Sequence, residues 1–179
     1  MTDVELRSFV RAQLLAILPL YGITGVPVIA SNQPTSEGRV TGPAIYFHSL
    51  DEQREGFQSP IFSRVGTDTT QLTERQIYAT TIQISVVSPE TENLALPQAT
   101  DICRAASMAL QSRQFIDALH ELSPRNGVRR ITGIRRPYIT NDRGQFEMVP
   151  SFDVTITHAV EKTTIAPVIN STRARIHRV

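Results

Sequence analysis

The chain alternates most regularly in Gln76-Ile77-Tyr78-Ala79-Thr80-Thr81-Ile82-Gln83-Ile84-Ser85-Val86-Val87. One set of alternate positions is mainly apolar and consists of Tyr78, Thr80, Ile82, Ile84 and Val86. The intervening set is mainly polar and consists of Ala79, Thr81, Gln83 and Ser85. Successive side chains of a strand point to opposite faces of a sheet, so this pattern predicts a strand with one buried face. Such half-buried strands are typical of antiparallel sheets.

The segment that precedes this strand predicts a long hairpin. Residues 43–50 are rich in β-branched and aromatic side chains, which favours a second strand. Between the two strands, residues 51–74 are polar and have no regular pattern. A connection longer than about 15 residues without a pattern is uncommon and is usually functional or disordered. We therefore expect a hairpin with a protruding tip, whose candidate contact residues are Phe57, Ile61, Phe62 and Arg64.

Helices and further strands are predicted on both sides of this hairpin. Thr2 and Glu5 have the spacing of a capping box, and apolar residues at helical spacing follow as far as Leu18. An Ala-rich helix is expected over residues 96–111 and a short helix over residues 115–122. Strands are expected at residues 26–30, 128–139 and 146–160.

This order of elements predicts an α+β fold. Strands that come in hairpins and helices that are grouped favour a largely antiparallel sheet with the helices packed on one face. We expect one domain over residues 1–162 and an extended basic C-terminal arm over residues 163–179.

Length and composition exclude several classes of protein. The chain has 179 residues with 18 basic and 17 acidic side chains, which fits one soluble globular domain. Cys103 has no second cysteine to pair with, so a disulfide framework is excluded. No apolar run approaches the roughly 20 residues that span a bilayer, so we expect no membrane anchor. The acidic start lacks the basic residues of a secretory signal and favours an intracellular protein.

The charge is distributed unevenly along the chain. Residues 1–123 contain eight arginines and thirteen acidic residues, a net charge of −5. Residues 124–179 contain nine arginines, Lys162 and four acidic residues, a net charge of +6. Codon usage explains why 17 of the 18 basic residues are arginines, but it does not explain the crowding in the last third. This polarity predicts an acidic partner, either nucleic acid or the acidic part of a neighbouring copy.

The arginines that carry this polarity fall into two groups. One group lies on the predicted strand 128–139, where neighbouring side chains are expected to point to opposite faces, and the other lies on the predicted arm. The guanidinium group suits contacts with carboxylates and phosphates, and it is frequent at protein interfaces. Specific nucleic-acid readers usually add a recognition helix or aromatic platforms, so pairing between subunits ranks above DNA binding. The candidate residues for a subunit interface or a DNA-facing lumen are Arg129, Arg130, Arg135, Arg136, Arg173, Arg175 and Arg178.

No catalytic, metal or cofactor motif is visible in the sequence. His48, His120, His158 and His177 are far apart, and the strand patterns predict that His48 and His158 are half-buried with satisfied hydrogen bonds. Cys103 lies on the buried stripe of the Ala-rich helix, where a thiol is usually inert. The glycines form neither a dinucleotide-binding fingerprint nor a P-loop. Because these motifs are missing, we expect no enzyme activity, metal or cofactor. An enzyme centred on His120 or Cys103 would require those groups to line a common cleft.

The order and the residue patterns of these elements resemble those of the neck and tail-terminator proteins of tailed bacteriophages. The likeness is carried by the opening helix, the strand 43–50 and the loop around residues 59–68. It continues through the strand that runs into Ser88-Pro89, the Ala-rich helix and the hairpin that closes on Pro150-Ser151-Phe152-Asp153-Val154. The family implies a small α+β subunit that assembles into a ring, commonly a hexamer. It also implies a structural role without enzyme activity or cofactor.

The resemblance implies a function in the virion. We expect a ring-forming neck or tail-terminator subunit that joins the head connector to the tail and leaves a lumen for DNA passage. The implied partners are further copies of the chain, head-connector or neck proteins, tail tube or sheath proteins and, transiently, phage DNA, with no membrane. The implied location is the neck or tail of the virion after synthesis in the bacterial host cytoplasm. The alternative is a nucleic-acid-binding module that uses the Arg-rich hairpin and the C-terminal arm.

Overall fold

The computed structural model describes residues 1–30, 42–65, 69–88, 97–140 and 146–167. The candidates Arg173, Arg175 and Arg178 lie outside these ranges. The described elements, in chain order, are α1 (Asp3–Ile17), a 3-10 turn (Leu18–Tyr21), β1 (Val28–Ile29), β2 (Ala44–Arg64), β3 (Thr69–Val87), α2 (Ala99–Gln111), α3 (Arg113–Leu122), β4 (Gly127–Ile131), β5 (Tyr138–Thr140), β6 (Phe146–Met148) and β7 (Ser151–Pro167).

The strands form one large sheet and one small one. The large sheet has the order β1-β2-β3-β7-β4, and β5 pairs with β6 in a separate two-stranded sheet. All pairs are antiparallel except β1 with β2, which is parallel. The predicted α+β class with a largely antiparallel sheet is confirmed.

The long hairpin is made of regular strand along nearly its whole length. β2 pairs with β3 from Ala44↔Val87 to Arg64↔Thr70, so the polar residues after Leu50 belong to a ladder and not to an irregular tip. The register shifts in two places, and at the second shift Gly56 has a φ of 65°, which glycine adopts without strain. The expectation of a patternless tip was wrong, because a strand exposed on both faces has no apolar alternation.

The helices cover one face of the sheet and enclose the main core. α1 begins with the predicted capping box, in which the Glu5 backbone N–H donates to Thr2 Oγ1 and the Thr2 N–H donates to the Glu5 carboxylate. α2 buries a surface rich in alanine, which permits close packing. The strand side of this core comprises Ile45, Phe47, Ile82, Ile84, Val86, Phe152, Val154 and Ile156, and the helix side includes Leu6, Val10, Leu14, Ile102, Ala106, Leu110, Phe115 and Leu119.

The C-terminal half differs from the predicted strands in two ways. The expected strand at 128–139 consists of β4 and β5, with an isolated bridge between Arg135 and Ser151 in between. The expected strand at 146–160 consists of β6 and the much longer β7. β7 continues without a break across the predicted domain boundary after Lys162, because residues 163–167 pair with the start of β3. The beginning of the predicted arm is therefore part of the sheet.

A phenylalanine truncation distinguishes the enclosed core from the exposed part of the hairpin. Phe152 is fully buried between sheet and helices, so Phe152→Ala should lower the free energy of unfolding by about 3–5 kcal/mol. The matched change Phe62→Ala, at a largely exposed site on β2, should cost about 0.5 kcal/mol or less. Urea unfolding of the dilute chain, followed by circular dichroism, measures both. Equal losses would show that the hairpin belongs to the core.

Candidate interaction surface

The ends of three strands project beyond the helix-covered core. We call this part the ribbon and define it as residues 51–64 of β2, 69–76 of β3 and 160–167 of β7. None of these residues belongs to the described core cluster, although β3 remains paired with both neighbours, without a break on the β7 side and with a bulge after Glu55 on the β2 side. Apolar side chains remain in solvent on the outer strands, with Phe57 98%, Phe62 69% and Ile165 67% exposed. Exposed apolar side chains clustered in one region are typical of a contact surface.

The predicted hairpin candidates all lie on β2 within the ribbon. Phe57 lies in the bulge that begins after Glu55, and Ile61, Phe62 and Arg64 lie on the straight stretch that follows. Phe62 is opposite Leu72 of β3, which is opposite Thr164 of β7. The ribbon therefore brings these candidates together, and their role in subunit contacts stays a prediction.

The face of the sheet opposite the helices, which we call the helix-free face, is polar along its middle. The register aligns Thr81 with Thr155, and their hydroxyl oxygens are 3.1 Å apart. Next to them, the Gln83 amide donates to the Asp153 carboxylate at 3.3 Å. In the ribbon the Thr73 and Thr163 hydroxyl oxygens are 3.3 Å apart on the same face. A row of hydroxyl and amide groups thus runs along the strands.

Two of the four arginines predicted on the strand 128–139 are neutralised within the chain. Arg129 forms an ion pair with Glu55 of β2, which lies on the far side of both β3 and β7. Arg135 forms an ion pair with Asp153 at 2.5 Å. Arg130 and Arg136 are exposed and have no ion pair with any residue that the structure describes.

The expected alternation of these arginines about one strand was wrong. The register shift between Val128 and Arg130 leaves Arg129 as the bulged residue, and both Arg129 and Arg130 are exposed. Arg135 and Arg136 lie after β4 has ended, so the rule of alternating faces does not apply to them. The acidic partners Glu55 and Asp153 were not predicted, since each lies in another strand and only the sheet register brings it close.

Asp153 joins β7 to the segment that follows β4. Its carboxylate is only 15% exposed and accepts from both Arg135 and Gln83. Its backbone N–H donates to Thr132 Oγ1 at 2.8 Å, and its carbonyl accepts from the Thr132 N–H at 2.9 Å. A half-buried carboxylate with several donors holds this edge in place more firmly than an exposed ion pair does.

Removal of this carboxylate should destabilise the fold measurably. Asp153→Ala leaves the Gln83 amide and the Arg135 guanidinium without their acceptor, so we expect a loss of about 1–3 kcal/mol in the free energy of unfolding. The control is Asp117→Ala, which breaks an ion pair with Arg113 on the exposed side of α3 and should cost about 0.5 kcal/mol or less. Chemical denaturation of both variants at one pH makes the comparison. Similar small losses would contradict an anchoring role for Asp153.

A buried histidine lies where the ribbon joins the helix-covered core. His158 Nε2 is 2.9 Å from Thr80 Oγ1, and its ring stacks on Tyr78 with centroids 6.2 Å apart. Its Nδ1 is buried and has no hydrogen-bond partner among the residues that the structure describes, so the expectation of a satisfied histidine is not met at this atom; the same holds for His48 Nδ1. Burial lowers the pKa of His158 below its usual value, although the nearby Glu52 carboxylate opposes this effect.

The buried imidazole predicts a loss of stability in mild acid. The lowered pKa of His158 in the folded chain means that the unfolded chain binds the proton more readily. The part of the free energy of unfolding that depends on neutral His158 is fully present above the unfolded-state pKa of about 6.5. It decreases as the pH drops through and below this value, by at most about 1.4 kcal/mol per pH unit. Thermal unfolding between pH 7.5 and 5.5 should show a smaller decrease for His158→Gln than for the native sequence. Equal decreases would assign the effect to other groups.

The two groups considered for catalysis do not share a cleft. Cys103 is fully buried, and this burial raises the pKa of Cys103 to about 12. His120 is exposed in the last turn of α3. Within the described ranges, no group of three or more His, Cys, Asp or Glu side chains is arranged to hold a metal ion. No described helix is long and apolar enough to cross a membrane.

Comparisons with known proteins place this architecture in a family. A solved chain similar in fold is the sheath/tube terminator of PVC, an extracellular contractile injection system, in the extended state. It matches with a TM-score of 0.55 and 12% identity, over 100% of this chain and 64% of that chain. No curated protein matches the sequence. The family model described as E217 gateway protein gp29 matches residues 5–168. These findings support the predicted resemblance to phage neck and tail-terminator proteins, and the chain belongs to the family of the E217 gateway protein gp29.

Proposed function

We propose that the chain is a structural subunit of a phage neck that forms a ring at the junction of head and tail. The observation that carries this proposal is a sheet with helices on one face, a polar helix-free face and a ribbon with exposed apolar side chains. Membership of the gateway family and the terminator-like fold support the same role.

In the proposed ring the helix-free face lines the lumen. Its middle is formed by hydroxyl and amide groups, such as those of Thr81, Gln83 and Thr155. DNA is held by phosphate contacts with basic residues, and its affinity increases steeply with their number. Arg129 and Arg135 are paired with carboxylates, which leaves Arg130 and Arg136 as the members of this arginine cluster without an ion pair among the described residues. Such a surface suits passage of DNA better than retention, which favours this role over the alternative of a nucleic-acid-binding module.

The ribbon supplies contacts between neighbouring subunits. Phe57, Phe62 and Ile165 are exposed in the isolated chain, and a ring buries such side chains without needing a second kind of protein. A ring uses two different surfaces of each copy, which meet head to tail. The resemblance to tail terminators suggests six copies.

The remaining surfaces are proposed to contact neighbouring virion proteins. The partners are the head-connector or neck proteins on one side and the tail tube or sheath proteins on the other. We further propose that the domain predicted over residues 1–162 forms the ring together with the end of β7, and that the rest of the basic segment 163–179, with Arg173, Arg175 and Arg178, contacts an adjoining ring. The protein is made in the host cytoplasm and functions in the virion.

A phage that cannot make the chain tests this proposal. With a stop codon early in its gene, infected cells should accumulate filled heads and separate tails, because the ring that joins them is missing. Electron microscopy of lysates counts joined and unjoined particles, and supply of the native chain in trans should restore joining. Normal numbers of joined particles without the chain would overturn the proposal.

The purified chain provides the matching test of the alternative. Filter binding to DNA over a range of salt concentrations should show weak retention at physiological salt, since half of the Arg129, Arg130, Arg135 and Arg136 cluster is neutralised. Submicromolar binding with a steep salt dependence would favour a nucleic-acid-binding module instead.

A further inference from the structure

The ribbon has two long strand edges without a strand partner among the described residues. β1 pairs only with Ile45 and Tyr46 of β2, and β4 pairs with β7 only between Val154 and Thr157. Beyond these contacts, β2 and β7 are paired on the β3 side only, among the residues that the structure describes. An unpaired edge presents a row of backbone N–H and C=O groups, which is a template for a strand of another chain.

The two edges are at the same height on opposite sides of the ribbon. Ser59 of β2 and Glu161 of β7 are both opposite Arg75 of β3. Further out, Arg64 and Ala166 are both opposite Thr70. Both strands are antiparallel to β3, so they run parallel to each other. A second copy displaced sideways therefore brings its β7 edge against the β2 edge of the first copy in the same direction, without a shift along the strands.

The exposed apolar side chains of the ribbon lie on these edge strands. Ile61 and Phe62 lie on β2 and Ile165 lies on β7, whereas the corresponding part of β3 is mostly half-buried. Ile61 is opposite Thr73 of β3 and Ile165 is opposite Gln71. The two side chains therefore lie on the same face of the sheet, two residues apart along the strand direction. Side chains at such diagonal positions on adjacent strands are within contact distance. An intermolecular pairing of the two edges would bring Ile61 and Ile165 of different copies together.

We propose that residues 161–167 of one copy pair in parallel with residues 59–64 of the next copy, so that the ribbons form one continuous sheet around the ring. This inference rests on the proposed ring of identical subunits. The bulge after Glu55 interrupts the β2 edge, so the straight stretch beyond it is the part that matches β7. Each copy offers one edge of each kind, and the sheet has no free edge once the ring closes.

Cysteine cross-linking tests the pairing directly. Ser63 and Ile165 are exposed and are both opposite Gln71 of β3, so they lie on the same face and at the same height on the two edges. A mixture of separately prepared Ser63→Cys and Ile165→Cys chains should form a covalent dimer on mild oxidation, because directly opposite residues of neighbouring strands bring the two thiols within disulfide distance. Either variant alone should remain monomeric under denaturing electrophoresis. The native Cys103 is fully buried and does not contribute.

The doubly substituted chain extends the test to the assembled particle. In virions that carry Ser63→Cys with Ile165→Cys, oxidation should convert most of the chain into a ladder of covalent oligomers. The matched control is Ser63→Cys with Ala12→Cys, which places the second thiol on the exposed side of α1 and should give no ladder.

The outcomes separate the pairing from the proposed function. Joined virions that contain the chain in the neck but yield only monomers after oxidation would overturn the edge pairing and leave the ring proposal intact. Dimers formed by Ser63→Cys alone would show that like edges meet, which also overturns the inference. Absence of the chain from the neck would overturn both proposals.

Discussion

The structure depends on the pairing of β3 with a neighbour on each side. β3 is bonded to β2 from Thr70 to Val87 and to β7 from Thr69 to Ser85. Because side chains alternate between faces, this register places Ile82 and Ile84 among the helices and Thr81 and Gln83 on the helix-free face. A slip of one residue would exchange the two faces along the whole strand. The core, the polar face and the ribbon are therefore fixed by the same set of backbone hydrogen bonds.

Segments with one buried face were predictable from the sequence. Alternation identifies β3, and helical spacing with a capping box identifies α1, because burial on one side imposes a period on the residues. The outer part of β2 was not predictable, since a strand exposed on both faces is free of that constraint. The same reason explains why the predicted strand ended at Val160 although β7 continues to Pro167. A periodic pattern of apolar residues indicates that one side of a segment is buried. It identifies a strand or a helix only where such burial occurs.

The candidate site was predictable in composition but not in its contacts. The sequence shows an acidic first part and a basic last part, and it identifies Arg129 and Arg135 as members of the basic group. The sheet brings Glu55 to Arg129 and Glu161 to Arg75, so some of the opposite charges meet within one molecule. These pairs join residues that are far apart in the sequence, and no local pattern predicts them. Net charge along a sequence is therefore an incomplete guide to the charge that a partner meets.

The unbroken pairing of β3 with β7 from the helix-covered core into the ribbon has a mechanical consequence. A force that pulls on the end of the ribbon along its length acts in the strand direction. The inter-strand hydrogen bonds lie across that direction, so many of them bear the load in shear at the same time, whereas peeling would break them one by one. The ribbon is thus suited to transmit tension into the helix-covered core without hinging at its base.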